Sequence, residues 1–445
     1  MMRLPPLQWR RARPRWLELA LLVFPVLLLA TGLTTLALAR GETPSQQDQT
    51  IVAVLATALF VAHAWLALRH PHADQVILPT AAMLASLSMV MVARLEPDLA
   101  TRQALWVGIG ALAMLATLTI LPSVGWLRQY RYTWAALGLL LVLSTFVFGI
   151  DPNGSGARLW LGFGGVYFQP SEILKVLLVI FFAAYLDDYR ELLALSNVRL
   201  GPFRLPPLPY LAPLLLMLAV ALGTIVLQRD LGAALLLFGL FLSMLYVASG
   251  RSSYVVAGLA LFVMGATLLY RLFSVVKVRV ETWADPWVTA NTTGYQLVQG
   301  LTALASGGLF GSGLTYGYPL YVPAVHTDFM IAAIGEEMGL AGTLAVVALY
   351  VLLIHRGLRV AMLTRDTFAA LVAAGLTSVV AIQALVILGG TLKLIPLTGV
   401  TLPLLSYGGS SILANFVLLG LLLAVSGEPQ RPLGDGGPRR IIDAA

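Results

Sequence analysis

Glu172 and Lys175 stand three residues apart in an otherwise apolar run that opens Gln169-Pro-Ser-Glu-Ile-Leu-Lys175. That spacing puts both side chains on one helix face. Within a membrane each charge costs roughly 2.5–3.5 kcal/mol on insertion scales, so such charges pair and face a cavity. An ion pair that only fixes helix packing has the same spacing, and spacing does not choose between the two. Pro170 suits the first turn of the helix, and Ser171 its cap.

Further polar residues gather between apolar runs. Gln228-Arg-Asp-Leu-Gly232 leaves almost no loop, so Asp230 lies either at a tight helical hairpin facing polar neighbours or solvated at the interface. Residues 274–327 form a long connection carrying Arg279, Glu281, Asp285 and Gln296, and it runs into His326-Thr-Asp328. Connections this long are functional or disordered, and the aromatic and aliphatic content here argues against disorder. Within it, 295–305 reads as a helix suited to the membrane surface. Glu336 and Glu337 sit side by side in the next apolar run. With His326 and Asp328 they invite a metal reading, but the spacing fits no standard ligand pattern. Lys393 opens a stretch ending Leu405-Ser-Tyr-Gly-Gly-Ser-Ser411, where prolines and glycines break any helix. Non-helical backbone at membrane depth is tolerated only when buried in protein or lining a wet cavity. Ser406, Ser410, Ser411 and the helix start beside them either receive an anion or provide close packing through small residues. Arg158, in the glycine-rich 151–170 connection, adds a cation.

The elements that position these groups are membrane helices. The chain is 59% hydrophobic and 11% charged, against about 25% charged for a soluble domain. Apolar runs of spanning length, about 20 residues, fall at 16–39, 51–68, 76–94, 103–121, 132–150, 171–187, 208–227, 231–249, 253–273, 328–354, 367–390 and 411–426. The expected fold is all-α, a polytopic integral membrane protein of about twelve helices with a large external loop before span ten. The positive-inside rule places both termini in the cytoplasm: 18 of the 28 basic residues then face inward, nine face outward, and Lys175 lies within a span. The net charge of +7 therefore calls for an anionic inner leaflet and not for nucleic acid. Cysteine is absent, which excludes disulfides, thiolate metal sites and a cysteine nucleophile. No nucleotide-binding glycine motif stands at a strand–helix junction. Nearly all clustered polar chemistry lies on the external side, which suits an anionic amphiphile handled at the outer leaflet.

At these residues the chain resembles the SEDS family, the RodA/FtsW/SpoVE peptidoglycan polymerases. The matching stretches are Gly154-Ser-Gly-Ala-Arg-Leu-Trp-Leu161, Gln169 to Lys175, Gln228 to Gly232, Gly294-Tyr-Gln-Leu-Val-Gln299, His326-Thr-Asp-Phe329, Ile334-Gly-Glu-Glu337 and Ile395 to Ser411. They stand in family order over 76–426. Residues 1–75 read as a basic N-terminus with two additional spans, as in longer actinobacterial-type members, and 427–445 as a flexible cytoplasmic tail. The resemblance implies polymerisation of lipid II, a disaccharide-pentapeptide on undecaprenyl pyrophosphate, together with a class B penicillin-binding protein. It implies a cavity lined by Arg158, Glu172, Lys175, Asp230, Lys393, Ser406, Ser410 and Ser411. A divalent cation, magnesium or manganese, is the one cofactor left open.

One position departs from the family. The expected catalytic Asp stands five residues before the Gly of Gly294-Tyr-Gln, which here is Thr289. Asp285-Pro286 keeps the family's dipeptide four residues earlier, so Asp285 is assigned as the base of a remodelled loop. The competing readings are a non-catalytic scaffold that activates a penicillin-binding protein, and a flippase for the lipid-linked precursor.

Overall fold

The computed structural model describes residues 15–121, 123–152, 154, 157–164, 166–194, 198–200, 203–205 and 208–428. Most of the predicted tail, and Arg3, Arg10, Arg11 and Arg13, lie outside the described residues.

Apolar runs became helices at nearly every predicted position. α1 (Trp16–Ala39) and α2 (Gln46–Arg69) form an N-terminal hairpin. Ser45 caps α2 reciprocally with Asp48: each side chain accepts the other's backbone N–H, at 3.1 and 2.9 Å. Next come α3 (Ile77–Leu95), α4 (Pro97–Ile120), a short α5 (Val124–Gln129) and α6 (Arg131–Phe148). α7 (Pro170–Ala194), α8 (Leu208–Leu227), α9 (Leu231–Ser249) and α10 (Ser252–Leu272) follow. The long connection holds α11 (Ser274–Ala284) and α12 (Tyr295–Ser306), and the chain closes with α13 (Met330–Leu363), α14 (Thr367–Thr391) and α15 (Gly409–Ser426). Eleven of these are long and apolar enough to cross a membrane. α7 matches the remaining predicted span at 25 residues, but it carries Glu172, Lys175, Asp187 and Asp188.

Burial sorts the helices. α3 is buried on nearly every side, as are α14, α15 and the middle of α7, so an all-round apolar helix is here a central one. α10 buries only Tyr254 and turns Val256, Leu259, Val263 and Met264 outward, which lipid tolerates and water does not.

The connections on either side of α7 depart from the sequence reading. The 151–170 connection contains a hairpin, β1 (Leu161–Phe163) with β2 (Val166–Phe168), and a second hairpin joins α7 to α8 as β3 (Val198–Leu200) and β4 (Phe203–Leu205). The helix expected at 295–305 is present as α12, and one face of it packs against the protein. It buries Leu297, Val298, Gly300 and Ala303, and Gly300 sits against the ring of Phe329 at the entrance to α13. α13 itself is broken at Gly339, whose φ of 68° and ψ of −166° are not helical. A Cβ there would lie 2.3 Å from the Gly311 nitrogen and 2.6 Å from the Leu309 carbonyl carbon, so only glycine fits.

Candidate functional site

α7 begins beside α9, α14 and the turn that leads into α15, and the polar side chains meet there. Lys175 is buried and donates to Glu172 Oε2 at 2.7 Å and to Gln383 Oε1 at 2.8 Å. Gln383, on α14, passes the chain on by donating to the Thr401 carbonyl at 2.7 Å. Asp230 caps α9, accepting the Ala233 N–H at 3.0 Å, and takes a second hydrogen bond from Gln169 Nε2 at 3.1 Å. The backbone N–H of Gln169 donates to Ser410 Oγ at 2.8 Å. Glu172, Lys175 and Asp230 thus share one polar region, with the neutral amides of Gln169 and Gln383 as their partners. Burial pushes the Asp230 carboxyl above its usual range and the charge of Glu172 adds to this, while the Ala233 N–H and Arg279 oppose it.

The serines are committed to the protein. Ser406 Oγ accepts the Leu402 N–H at 3.1 Å, and Ser411 Oγ accepts from Thr401 at 2.9 Å and from Asn415 Nδ2 at 3.2 Å. They fix the irregular 393–408 backbone instead of pointing at solvent, which answers how non-helical chain is tolerated here. The same turn is tied to the long connection. Tyr407 N donates to the His326 carbonyl at 2.9 Å, Trp283 Nε1 to the Lys393 carbonyl at 3.0 Å, and Arg279 to the Thr398 carbonyl at 3.0 Å. Lys393 is half-buried with a left-handed φ of 59°. Arg158 is exposed.

A cavity of about 180 Å³ opens beneath α11, lined by Arg279, Thr282, Thr293, Gln296, Asp328 and Gly399 among others. Asp285 does not line it. It terminates α11 as an exposed residue and accepts the Trp287 N–H at 3.1 Å. The Thr289 hydroxyl is buried without a hydrogen-bond partner. Among the described residues no three His, Asp or Glu side chains converge on a metal-sized site. Glu336 and Glu337 serve the fold: Glu336 accepts the Tyr318 N–H at 2.6 Å, and Glu337 pairs with Arg94 at 2.9 Å.

Asp328 was grouped with the metal candidates on sequence, and the cavity gives it another character. Burial raises its pKa from 3.8 to about 6, against the pull of the Thr327 hydrogen bond and Arg279. The folded protein therefore favours the protonated form. The stability contributed by this carboxyl is full below pH about 3.8 and is lost as pH rises through about 6. Melting temperatures of the detergent-purified protein between pH 4 and 7 should show this decline, and Asp328→Asn should flatten it. An unchanged slope in that variant assigns the decline to another group.

Known proteins share this architecture. A family profile described as "Cell cycle protein", covering FtsW, RodA and SpoVE, matches residues 71–431. The peptidoglycan glycosyltransferase RodA of Mycobacterium tuberculosis is 41% identical over 443 residues, covering 96% of this chain and 93% of that protein. A probable peptidoglycan glycosyltransferase FtsW of Geobacter metallireducens is 33% identical, covering 79% and 94%. Among solved structures, a chain described under "Structural coordination of polymerization and crosslinking by a peptidoglycan synthase complex" superposes with a TM-score of 0.67 at 28% identity, covering 80% of this chain and 97% of that one. The rod shape determining protein RodA of Thermus thermophilus gives 0.58 at 26% identity, covering 80% and 96%. The profile spans the polar cluster and the relatives cover most of the sequence, and the chain belongs to the FtsW/RodA/SpoVE family.

Proposed function

We propose that this chain is a peptidoglycan glycosyltransferase that polymerises lipid II into glycan strands at the outer face of a bacterial cytoplasmic membrane. The observation that carries this reading is the polar region where α7, α9, α11, α14 and the 393–411 turn meet, in a chain 41% identical to a RodA of that activity. The reaction needs a base for the attacking sugar hydroxyl and positive charge for the departing pyrophosphate. Asp285 is the base. Its Oδ1 holds the Trp287 N–H, which leaves Oδ2 to take the proton. Arg158 and Lys393 are the exposed and half-buried cations for the pyrophosphate. Glu172, Lys175 and Asp230 form the polar floor. Ser406, Ser410 and Ser411 hold the turn so that the backbone amides at the start of α15 meet the anion, the setting in which helix starts bind phosphate. Polymerisation of labelled lipid II by the purified protein tests the reading.

The partner is a class B penicillin-binding protein, which cross-links the strands; the similarity to a chain of a synthase complex that couples polymerisation and crosslinking supports this. Thr289, where the family carries Asp, keeps a second reading in view, a scaffold that activates this partner without making glycan itself.

Both termini face the cytoplasm, which the basic asymmetry supports. Cysteines replacing Glu42 and Asn291 should react with an impermeant thiol reagent in intact cells, and a cysteine replacing Arg365 should not. All three positions are exposed. Labelling at position 365 alone reverses the orientation.

A further inference from the structure

A second cavity lies at the opposite end of the bundle from the polar region. Arg94 and Glu337 tie the last turn of α3 to the first half of α13 on the cluster side, and Asp74 and Arg356 tie their other ends together. There a pocket of about 410 Å³ opens between the start of α1, the turn before α3 and the last turns of α13.

The turn that floors this pocket is held from three sides. Arg15 is buried and donates to the carbonyls of His70, Ala73 and Asp74 at 3.2, 2.6 and 3.0 Å. Glu18, wholly buried, pairs with Arg15, and its carboxylate accepts a hydrogen bond from His63 Nδ1–H at 2.7 Å. The Asp74 carboxylate receives the N–H groups of Val76 and Ile77 at 2.8 and 3.2 Å and binds Arg356 through Nε at 2.9 Å. The Asp74 N–H donates to Ser426 Oγ at 3.0 Å. The shape is therefore preorganised, and a ligand does not have to order it.

Its chemistry is two-sided. Arg356 and Arg359 are three residues apart on one face of α13, and both line the pocket with His72. Asp74 satisfies Arg356. The Arg359 side chain is half-buried, and its guanidinium makes no hydrogen bond or ion pair with any described residue. Beside these cations the wall is apolar, formed by Leu17, Val76, Val360 and Leu363. Leu17 is 56% exposed at the outer surface of α1, where lipid lies. A soluble phosphate would use the cations and gain nothing from that wall. A phospholipid uses both.

We propose that this pocket binds the phosphate headgroup of an anionic phospholipid, with Arg359 on the phosphate and an acyl chain running from Leu17 along the exposed face of α1 past Phe24. Basic pockets between membrane helices bind anionic headgroups in this way. The site lies apart from the glycosyl-transfer cluster, so the outcome for either leaves the other standing.

Native mass spectrometry of the full detergent-purified chain tests it. The probes are dioleoylphosphatidylglycerol, dioleoylphosphatidylcholine, inorganic phosphate and undecaprenyl pyrophosphate. The parent should retain phosphatidylglycerol in preference to phosphatidylcholine. Arg359→Gln should weaken it by about fivefold, the worth of one basic residue near an anionic lipid, and Arg359→Glu by more. Leu363→Trp, which fills the apolar wall and keeps both arginines, should weaken it also. Melting temperatures without added lipid establish that the variants fold. Equal retention by parent and folded Arg359→Glu overturns the proposal, as does equal retention of phosphatidylcholine. Displacement of phosphatidylglycerol by millimolar phosphate makes the site one for soluble anions and overturns the lipid assignment. Displacement by sub-stoichiometric undecaprenyl pyrophosphate makes it a precursor site and overturns it too.

Discussion

Asp285→Asn should lower glycan synthesis by about 10²–10⁴-fold, the usual worth of a general base. The substitution is conservative in geometry. Asn also offers an Oδ1 to the Trp287 N–H, so the turn after α11 survives and only the basic oxygen is lost. Partner binding should be unchanged, as co-purification with the cognate penicillin-binding protein would show. Thr289→Ala should have a much smaller effect, since the Thr289 hydroxyl is buried and unpartnered. Parental rates in Asp285→Asn remove Asp285 from the role. The structure then favours Asp328 over Glu281 as the next residue to test. Glu281 is exposed and lies 3.8 Å from Lys277, whereas Asp328 lines the cavity with Arg279. A gain of activity in Thr289→Asp points instead to a chain whose missing carboxylate has been restored.

Lys175→Met should abolish activity and reduce the amount of folded protein. The change strands Glu172 and the Gln383 carbonyl oxygen together, both of which receive Lys175 Nζ. Removing one partner of a buried ion pair typically costs about 3–5 kcal/mol, most of it from the charge left behind. Glu172→Gln with Lys175→Met removes that stranded charge, so the double variant should recover folded yield in fluorescence-detected size exclusion. It should not recover activity, because the polar floor is still gone. Full activity and normal abundance in Lys175→Met contradict both the network and its role.

Legibility in the sequence followed the strength of the physical constraint. A span must be long and apolar, so the bundle was readable, with helix ends off by as much as nine residues at α13, and the charges inside α7 stood out against it. Contact partners supplied by neutral amides were not readable. Gln383 lies more than 200 positions from Lys175 and has no local signal. A buried lysine shows that a partner exists but not which residue provides it. Asp328 shows the same limit: its setting depends on α11 folding back over the 393–399 backbone through Arg279 and Trp283. The hairpin at 161–168 was missed because three-residue strands carry too little alternation to register as a period. The serines of 406–411 read from sequence either as anion receptors or as close-packing residues, and their hydroxyls hold the turn. A glycine- and serine-rich run supports both uses, and only the placement of Thr401, Asn415 and Gln169 decides between them.

Glycan synthesis by this chain itself is open to direct measurement. The direct measurement is polymerisation of fluorescent lipid II by purified protein in detergent, alone and with its class B penicillin-binding protein, with products resolved by gel. Glycan strands should form that depend on this chain, are lost with Asp285→Asn, and persist when the partner's transpeptidase is blocked. No strands from the parent in the presence of an active, bound partner would contradict this, and the chain would then be a scaffold of that partner.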